Sequence, residues 1–349
     1  MIEGLLKKSV RDLVPYTPKN YVVDIKLDAN ENNHVALQLN DKIAEALKGV
    51  KINHYPDSDS TVVRQMIADD FNININQVIL GCGSDQIITL IINAFIDPED
   101  KILIHTPTFD MYRITNKIAG GKTLEVPLGN DFEFDCKNFI NVMEKEQPKI
   151  VFMTNPNNPT GGVIAKEDII EITKKAKGIV VVDEAYMEFF NESAVDLVDK
   201  YPNLMVLRTL SKAFGLAGAR IGYSIASEVL TKAVNRVKPP YNVSSIDQVA
   251  AKVCLENKSW AMEIIDDIIK EREVVSEALK ALGLKVFDSE ANFILFKMEN
   301  AKGLYEYLLE NKILIRYFGE TGPLAGCLRM SIGTPEENKK VLRLIGEFL

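Results

Sequence analysis

From residue 78 onward, short apolar runs alternate with helix-length amphipathic stretches. Runs at 78–81 (VILG), 101–105 (KILIH), 122–127 (KTLEVP), 149–154 (KIVFMT), 178–182 (GIVVV), 204–209 (LMVLRT) and 220–225 (RIGYSI) predict strands. Several are too continuously apolar to leave one face in water, which is the pattern of parallel strands covered on both sides. Stretches such as 84–96, 109–118 and 166–177 predict helices in the intervals. The expectation is an α/β fold whose large unit is a mostly parallel seven-stranded sheet covered by helices.

Beyond Pro239-Pro240 the pattern changes. Long charged helices are predicted at about 246–257 and 260–282, then short strands near 285–288, 292–297, 313–316 and 327–332, and a closing helix. That describes a smaller α+β domain. The first forty residues have no core pattern of their own and are expected to form an arm against this second domain or a neighbouring subunit. The expected division is therefore an arm over 1–40, a large domain over 41–238 and a small one over 239–349.

Composition narrows the functions. With 46% apolar and 26% charged residues among 349, the chain can bury a sizeable core. A net charge of -8 without clustered Lys or Arg argues against a nucleic-acid surface. No segment approaches the roughly 18 apolar residues of a membrane span, and MIEGLLKKSVRDLVPY lacks a signal-peptide core, so a cytoplasmic location is expected. The scattered Cys82, Cys136, Cys254 and Cys327, with histidines only at 34, 54 and 105, predict neither a disulfide framework nor a metal site. The expected partners are small molecules and a second copy of the chain.

In open α/β sheets the ligand crevice lies beyond the carboxyl ends of the strands. Four places qualify. GCGSDQ (81–86) follows a strand and opens a helix, so Gly83, Ser84 and Asp85 form either an anion cup or a plain helix cap. NPNNPTGG (155–162) is a constrained double turn that projects Asn158, or simply a turn. GIVVVDEAY places Asp183 and Tyr186 after a buried strand, where a carboxylate needs a cationic or hydrogen-bonding partner; a structural capping role is the alternative. In LRTLSKAFGLAGARIGY, Lys212 sits among small and apolar residues that desolvate its amine and favour imine chemistry, with Ser211 and Arg220 in reach of a phosphate. Together they place a lysine, an aspartate, a tyrosine, an asparagine and an anion cup on one sheet edge, which is the set a phosphorylated pyridine aldehyde requires.

At these residues the chain resembles the fold type I pyridoxal phosphate aminotransferases, and among them the histidinol-phosphate branch. The similarity runs through LDANEN (27–32), YPD (55–57), GCGSDQ, TPTFDMY (106–112), NPNNPTG, VVDEAY, TLSKAFGLAGARIGY, PPYNVS (239–244), ILIRYFG (313–319) and CLRMSIGT (327–334). The resemblance implies pyridoxal 5'-phosphate as cofactor, with Lys212 linked to it as an imine and Asp183 keeping its pyridine nitrogen protonated. It implies that Tyr186 and Asn158 bind the phenolic oxygen, and that Phe109 stacks on the ring. Gly83, Ser84, Asp85, Ser211 and Arg220 are expected around the phosphate, and Tyr55 at the phosphate of a partner subunit's cofactor in a homodimer. Tyr16, Asn30, Arg316 and Arg329 are the expected substrate residues. The family's usual tyrosine at the stacking position is Phe109 here, and NENNH lacks the proline that commonly follows NEN.

The reaction implied is amino transfer from L-histidinol phosphate to 2-oxoglutarate, giving imidazole acetol phosphate and glutamate in histidine biosynthesis. Aromatic amino acid aminotransferases and threonine-phosphate decarboxylases share the cofactor residues and stay open as alternatives. A non-catalytic pyridoxal phosphate-binding regulator would carry a DNA-binding module, which the forty residues before the sheet do not resemble.

Overall fold

The computed structural model describes residues 2–15, 20–34 and 37–349. Its centre is a seven-stranded sheet built from β1 (Val78–Cys82), β2 (Lys101–Thr106), β3 (Lys122–Pro127), β4 (Ile150–Thr154), β5 (Ile179–Asp183), β6 (Leu204–Thr209) and β7 (Ile221–Ala226). The spatial order is β1-β7-β6-β5-β4-β2-β3. All neighbours are parallel except β7, which runs antiparallel to both β1 and β6.

Alternation along the central strands divides the core. Val151, Met153, Val180, Val182, Leu204 and Val206 face one apolar cluster, while Ile150, Phe152, Val181, Met205 and Leu207 face the other. Each buried side chain of this size contributes roughly 1.5–3 kcal/mol. The second cluster is closed by the helix Gly83–Phe95, which presents Ile87, Ile88, Ile91 and Ile92 to the sheet. With both faces covered, these runs are mostly apolar, and the polar residues they do carry, such as His105 and Arg208, are themselves buried and partnered.

Four further strands form an antiparallel sheet in the order β10 (Arg316–Tyr317), β11 (Cys327–Ser331), β9 (Phe293–Lys297) and β8 (Lys285–Val286). The long helix Lys258–Ala281 and the helix Pro335–Phe348 flank it. The latter starts with a capping box, Thr334 and Glu337 each holding the other's backbone N–H, with Pro335 in the first turn.

Two expectations change. The stretch 313–316 is not one strand: Ile313–Leu314 pairs in parallel with Ile25–Lys26, and only Arg316–Tyr317 joins the four-stranded sheet. The chain changes partners at Ile315 because the first segment of the protein takes its hydrogen bonds. That segment also has core positions, since Ile25 and Leu27, two apart as a strand requires, are both buried. Leu27 N–H donates to Leu314 O at 2.7 Å and Leu27 O accepts from Ser331 N–H at 2.9 Å. Helix Leu37–Leu47 begins inside the stretch read as an arm. Among the described residues no helix is long and apolar enough to cross a membrane.

Candidate active site

The carboxyl ends of β1, β2, β4, β5 and β6 lie on one edge of the large sheet, and the antiparallel β7 brings its beginning to the same edge. Arg220, the residue before β7, therefore meets the residues after β1. Gly83 N–H donates to Arg220 O at 2.7 Å, and the Arg220 guanidinium pairs with Asp85 at 3.1 Å while reaching Ser211 Oγ at 3.5 Å. Gly83 has φ +74°, and a Cβ there would stand 2.5 Å from Arg220 Nη2. Gly222, paired with Gly81, lies so close that a Cβ would stand 2.1 Å from the Ser84 backbone nitrogen. Gly83, Ser84, Asp85, Ser211 and Arg220 are thus one cluster, which joins a guanidinium to the first turn of a thirteen-residue helix.

Asp183 ends β5 and is 3% exposed. Its Oδ1 accepts from Ala185 N–H at 3.1 Å and its Oδ2 from the Tyr112 hydroxyl at 2.7 Å. Burial pushes its pKa up to about 6 against the pull of these two donors. Each oxygen keeps a lone pair for a further donor.

Lys212 lies three residues past β6. Its Nζ donates to Ala29 O at 2.8 Å and stands 5.8 Å from the centre of the Tyr186 ring. Burial, followed by the positive charge of Arg329, brings the amine down to about 8. Tyr186 is buried and accepts at its hydroxyl from Asn30 Nδ2 at 2.9 Å. Asn30 is itself held in the left-handed region, φ 54°, with its N–H on Ser331 Oγ and its carbonyl on Asn292 Nδ2. Asn32 Nδ2 donates to Ala213 O at 2.9 Å. The 28–32 segment is thereby fastened across the lysine, with attachments to both sheets.

Arg329, 7% exposed on β11, donates to Asn158 Oδ1 and, at 2.7 Å, to Asp28 O. Arg316 is its direct partner across the strands, and both guanidinium groups stand 5.8 Å from the Phe318 ring centre. Directly opposed residues project to the same face, so the two cations flank one aromatic ring. Asn158 thus meets Arg329 through its side-chain oxygen. Phe109 stands edge to face with Tyr112, their ring centres 5.7 Å apart.

Two candidates are not part of the cluster as described. Tyr55 is 81% exposed and stacks on Tyr241, away from the lysine cluster. Tyr16 lies outside the described residues. A cavity of about 450 Å³ lined by Arg64, Lys238 and Asn242 contains none of the candidates. The structure adds participants not singled out in the sequence: Tyr112, Thr154, Asn157 and the carbonyl of Ala29. Asn157 joins two turns, donating to Pro107 O and Thr160 Oγ1 while its Oδ1 accepts from Thr108. Tyr112 carried a signal, since it follows Phe109 by three positions at the start of the helix Met111–Ala119.

The fold and this edge define an aminotransferase: residues 23–345 match the family aminotransferase class I and II, and the chain belongs to it. Among relatives, the histidinol-phosphate aminotransferase of Ruminiclostridium cellulolyticum is 42% identical over 348 residues, 98% of this chain and 97% of that one. The solved histidinol-phosphate aminotransferase of Clostridium acetobutylicum is 28% identical with a TM-score of 0.83, covering 93% of this chain and 100% of that one. The Sinorhizobium meliloti enzyme, solved in complex with pyridoxal 5'-phosphate, shares the fold at 23% identity and a TM-score of 0.87, over 93% of this chain and 90% of that one.

The cofactor of this chain is pyridoxal 5'-phosphate. The residues fit that group. A buried carboxylate with spare lone pairs suits a protonated pyridine nitrogen, a desolvated amine suits an aldehyde, and a guanidinium at a helix start beside a glycine that admits no Cβ suits a phosphate.

Proposed function

We propose that the chain transfers the amino group of L-histidinol phosphate to 2-oxoglutarate, forming imidazole acetol phosphate and glutamate in histidine biosynthesis. The observation that carries this reading is full-length identity of about 40% to relatives named histidinol-phosphate aminotransferase. Arg316 and Arg329 support it, since two guanidinium groups on one face suit a substrate phosphate and a carboxylate alike.

When bound, pyridoxal phosphate supplies an electron sink that acidifies the α-carbon hydrogen of an attached amine. Lys212 would hold it and then, as a neutral amine, take the proton from the donor's α-carbon. Its lowered pKa prepares it for that task. Asp183 would hold a positive charge at the pyridine nitrogen, and Tyr186 with Asn158 would bind the phenolic oxygen. Phe109 would cover the ring face. Gly83, Ser84, Asp85, Ser211 and Arg220 would hold the phosphate, with the carboxylate of Asp85 acting through Arg220. Arg329 would orient the substrate's anionic end with Arg316 and Asn30 beside it, Tyr16 is the further substrate residue that the resemblance implies, and the 28–32 segment keeps water from the amine.

The working unit in this reading is a cytoplasmic homodimer. The exposed Tyr55, stacked on Tyr241, would face the partner and reach its cofactor phosphate.

The test is to load the protein with pyridoxal phosphate and record its visible spectrum while adding L-histidinol phosphate, phenylalanine or threonine phosphate, without a keto acid. Loss of the absorbance of the lysine-bound cofactor at low histidinol phosphate, with little response to the other two, is expected. A preference for phenylalanine, or release of carbon dioxide from threonine phosphate, would overturn the assignment.

A further inference from the structure

We propose that Tyr112 is a positioning residue for Asp183: its buried phenol fixes the direction of the carboxylate and holds it ionised, so that Asp183 can keep a proton on the pyridine nitrogen. The proposal rests on the reading of Asp183 as the partner of that nitrogen.

Tyr112 is fully buried at the start of the helix Met111–Ala119, stacked on Phe152 with ring centres 4.6 Å apart and planes 17° from parallel. The ring cannot turn away without vacating that stack. Its hydroxyl is 2.7 Å from Asp183 Oδ2 and 3.0 Å from Thr154 Oγ1. An ionised carboxylate has no proton to give, so the single phenolic proton goes to Asp183 and Thr154 must donate to the phenol oxygen. Thr108 Oγ1 gives its single proton to Asn157 Oδ1 at 2.8 Å, where the buried His105 ring also stands at 3.1 Å, and it lies 2.9 Å from Thr154 Oγ1. The phenol is thus held from two sides, by stacking on Phe152 and by the Thr154 hydroxyl, with its donor direction fixed.

This arrangement matches the electrostatic need of the site. Around Asp183 the nearby carboxylates Asp85 and Glu184 oppose its ionisation, as does burial. Tyr186 packs close by with Lys212 over its ring. Against these stand only the Ala185 N–H and the Tyr112 hydroxyl among the named donors. Removing the hydroxyl deletes one of two hydrogen bonds to a buried charge and leaves the ring stack in place.

The experiment uses Tyr112→Phe and follows pyridoxal phosphate affinity against pH in a Lys212→Ala background, where the lysine does not titrate, beside the thermal midpoint of the apoprotein and the kinetics of the single variant in the loaded enzyme. Losing a bond to a charged acceptor is expected to move the acid limb of cofactor affinity upward by about one pH unit and to lower kcat roughly tenfold. KM for the amino donor and the thermal midpoint of the apoprotein should change little. Thr154→Val, which removes the hydroxyl that donates to the phenol, should shift the limb in the same direction by less, and serves if the first variant does not fold. An unmoved acid limb in Tyr112→Phe, or equal loss of stability and affinity without a limb shift, overturns the proposal. Asp183→Asn separates the two ideas: if that variant keeps normal cofactor affinity and spectrum, the reading of Asp183 fails. If it loses the limb while Tyr112→Phe does not move it, only the role of Tyr112 fails.

Discussion

Capture of pyridoxal phosphate by the apoprotein reads the Lys212 amine directly, because only the neutral amine attacks an aldehyde. Burial is the main cause of its lowered pKa, the charge of Arg329 adds to it, and the carboxylates Glu31 and Asp85 work against it. With a pKa of about 8 in place of 10.5, the neutral form dominates above pH 8 and is lost as pH falls below it. At pH 7 roughly one amine in ten is then neutral, compared with roughly one in three thousand for an ordinary lysine, a gain of about 300-fold. Arg329→Leu removes the second cause and should raise the pKa, slowing capture at pH 7 by roughly three- to tenfold. Arg329→Lys keeps the charge and should leave the midpoint in place. The assay is stopped-flow absorbance of the lysine-bound cofactor between pH 6 and about 9.5, with variant rates divided by wild-type rates so that the ionisations of the free cofactor cancel. A midpoint near the ordinary lysine value, or an unchanged midpoint in Arg329→Leu, would refute the account of how this amine is activated.

Three further outcomes are expected. Gly222→Ala drives a methyl into the Ser84 backbone, and should cost about 1–3 kcal/mol and weaken cofactor affinity, measured by denaturant unfolding and by titration with pyridoxal phosphate. Arg208→Met strands the buried Glu184 and Glu188, each 2.9 Å from the guanidinium, and should cost roughly 3–5 kcal/mol in chemical unfolding at pH 7. Both carboxyls already sit above their ordinary pKa through burial, so the loss should be full at neutral pH and shrink as pH falls and they become neutral; a constant loss down to about pH 5 would refute it. Asn30→Gly tolerates φ 54° but removes the amide on Tyr186, so turnover should fall roughly tenfold with the thermal midpoint nearly unchanged.

The large sheet was legible because strands buried on both faces tolerate no polar alternation, and because β6 and β5 end abruptly at TLSK and DEAY. The places of chemistry followed from those ends. What could not be read was pairing across the chain. Tyr112 and Asp183 are 71 positions apart, and their bond depends on how the helix after β2 rotates against β5. Ala29 meets Lys212 through a carbonyl, which every residue carries and no sequence pattern marks. Asn158 meets Arg329 from 171 positions away. The stretch 313–316 read as one strand because its apolar pattern is continuous; only the arrival of Ile25–Lys26 divides it.

The 28–32 segment also sets an order of events during synthesis. It is made early, yet its anchors lie far ahead: Tyr186 is 156 positions later, Asn292 262 and Ser331 301. Such distant closures come late in folding, after local helices and neighbouring strands have formed. A chain still leaving the ribosome can therefore complete its seven strands while Lys212 lacks both its Ala29 cover and the nearby Arg329 charge. In that interval the amine lacks the carbonyl partner and the neighbouring cation that surround it in the finished fold. The surroundings of the lysine are thus complete only once β11 has brought Arg329 and Ser331 into place.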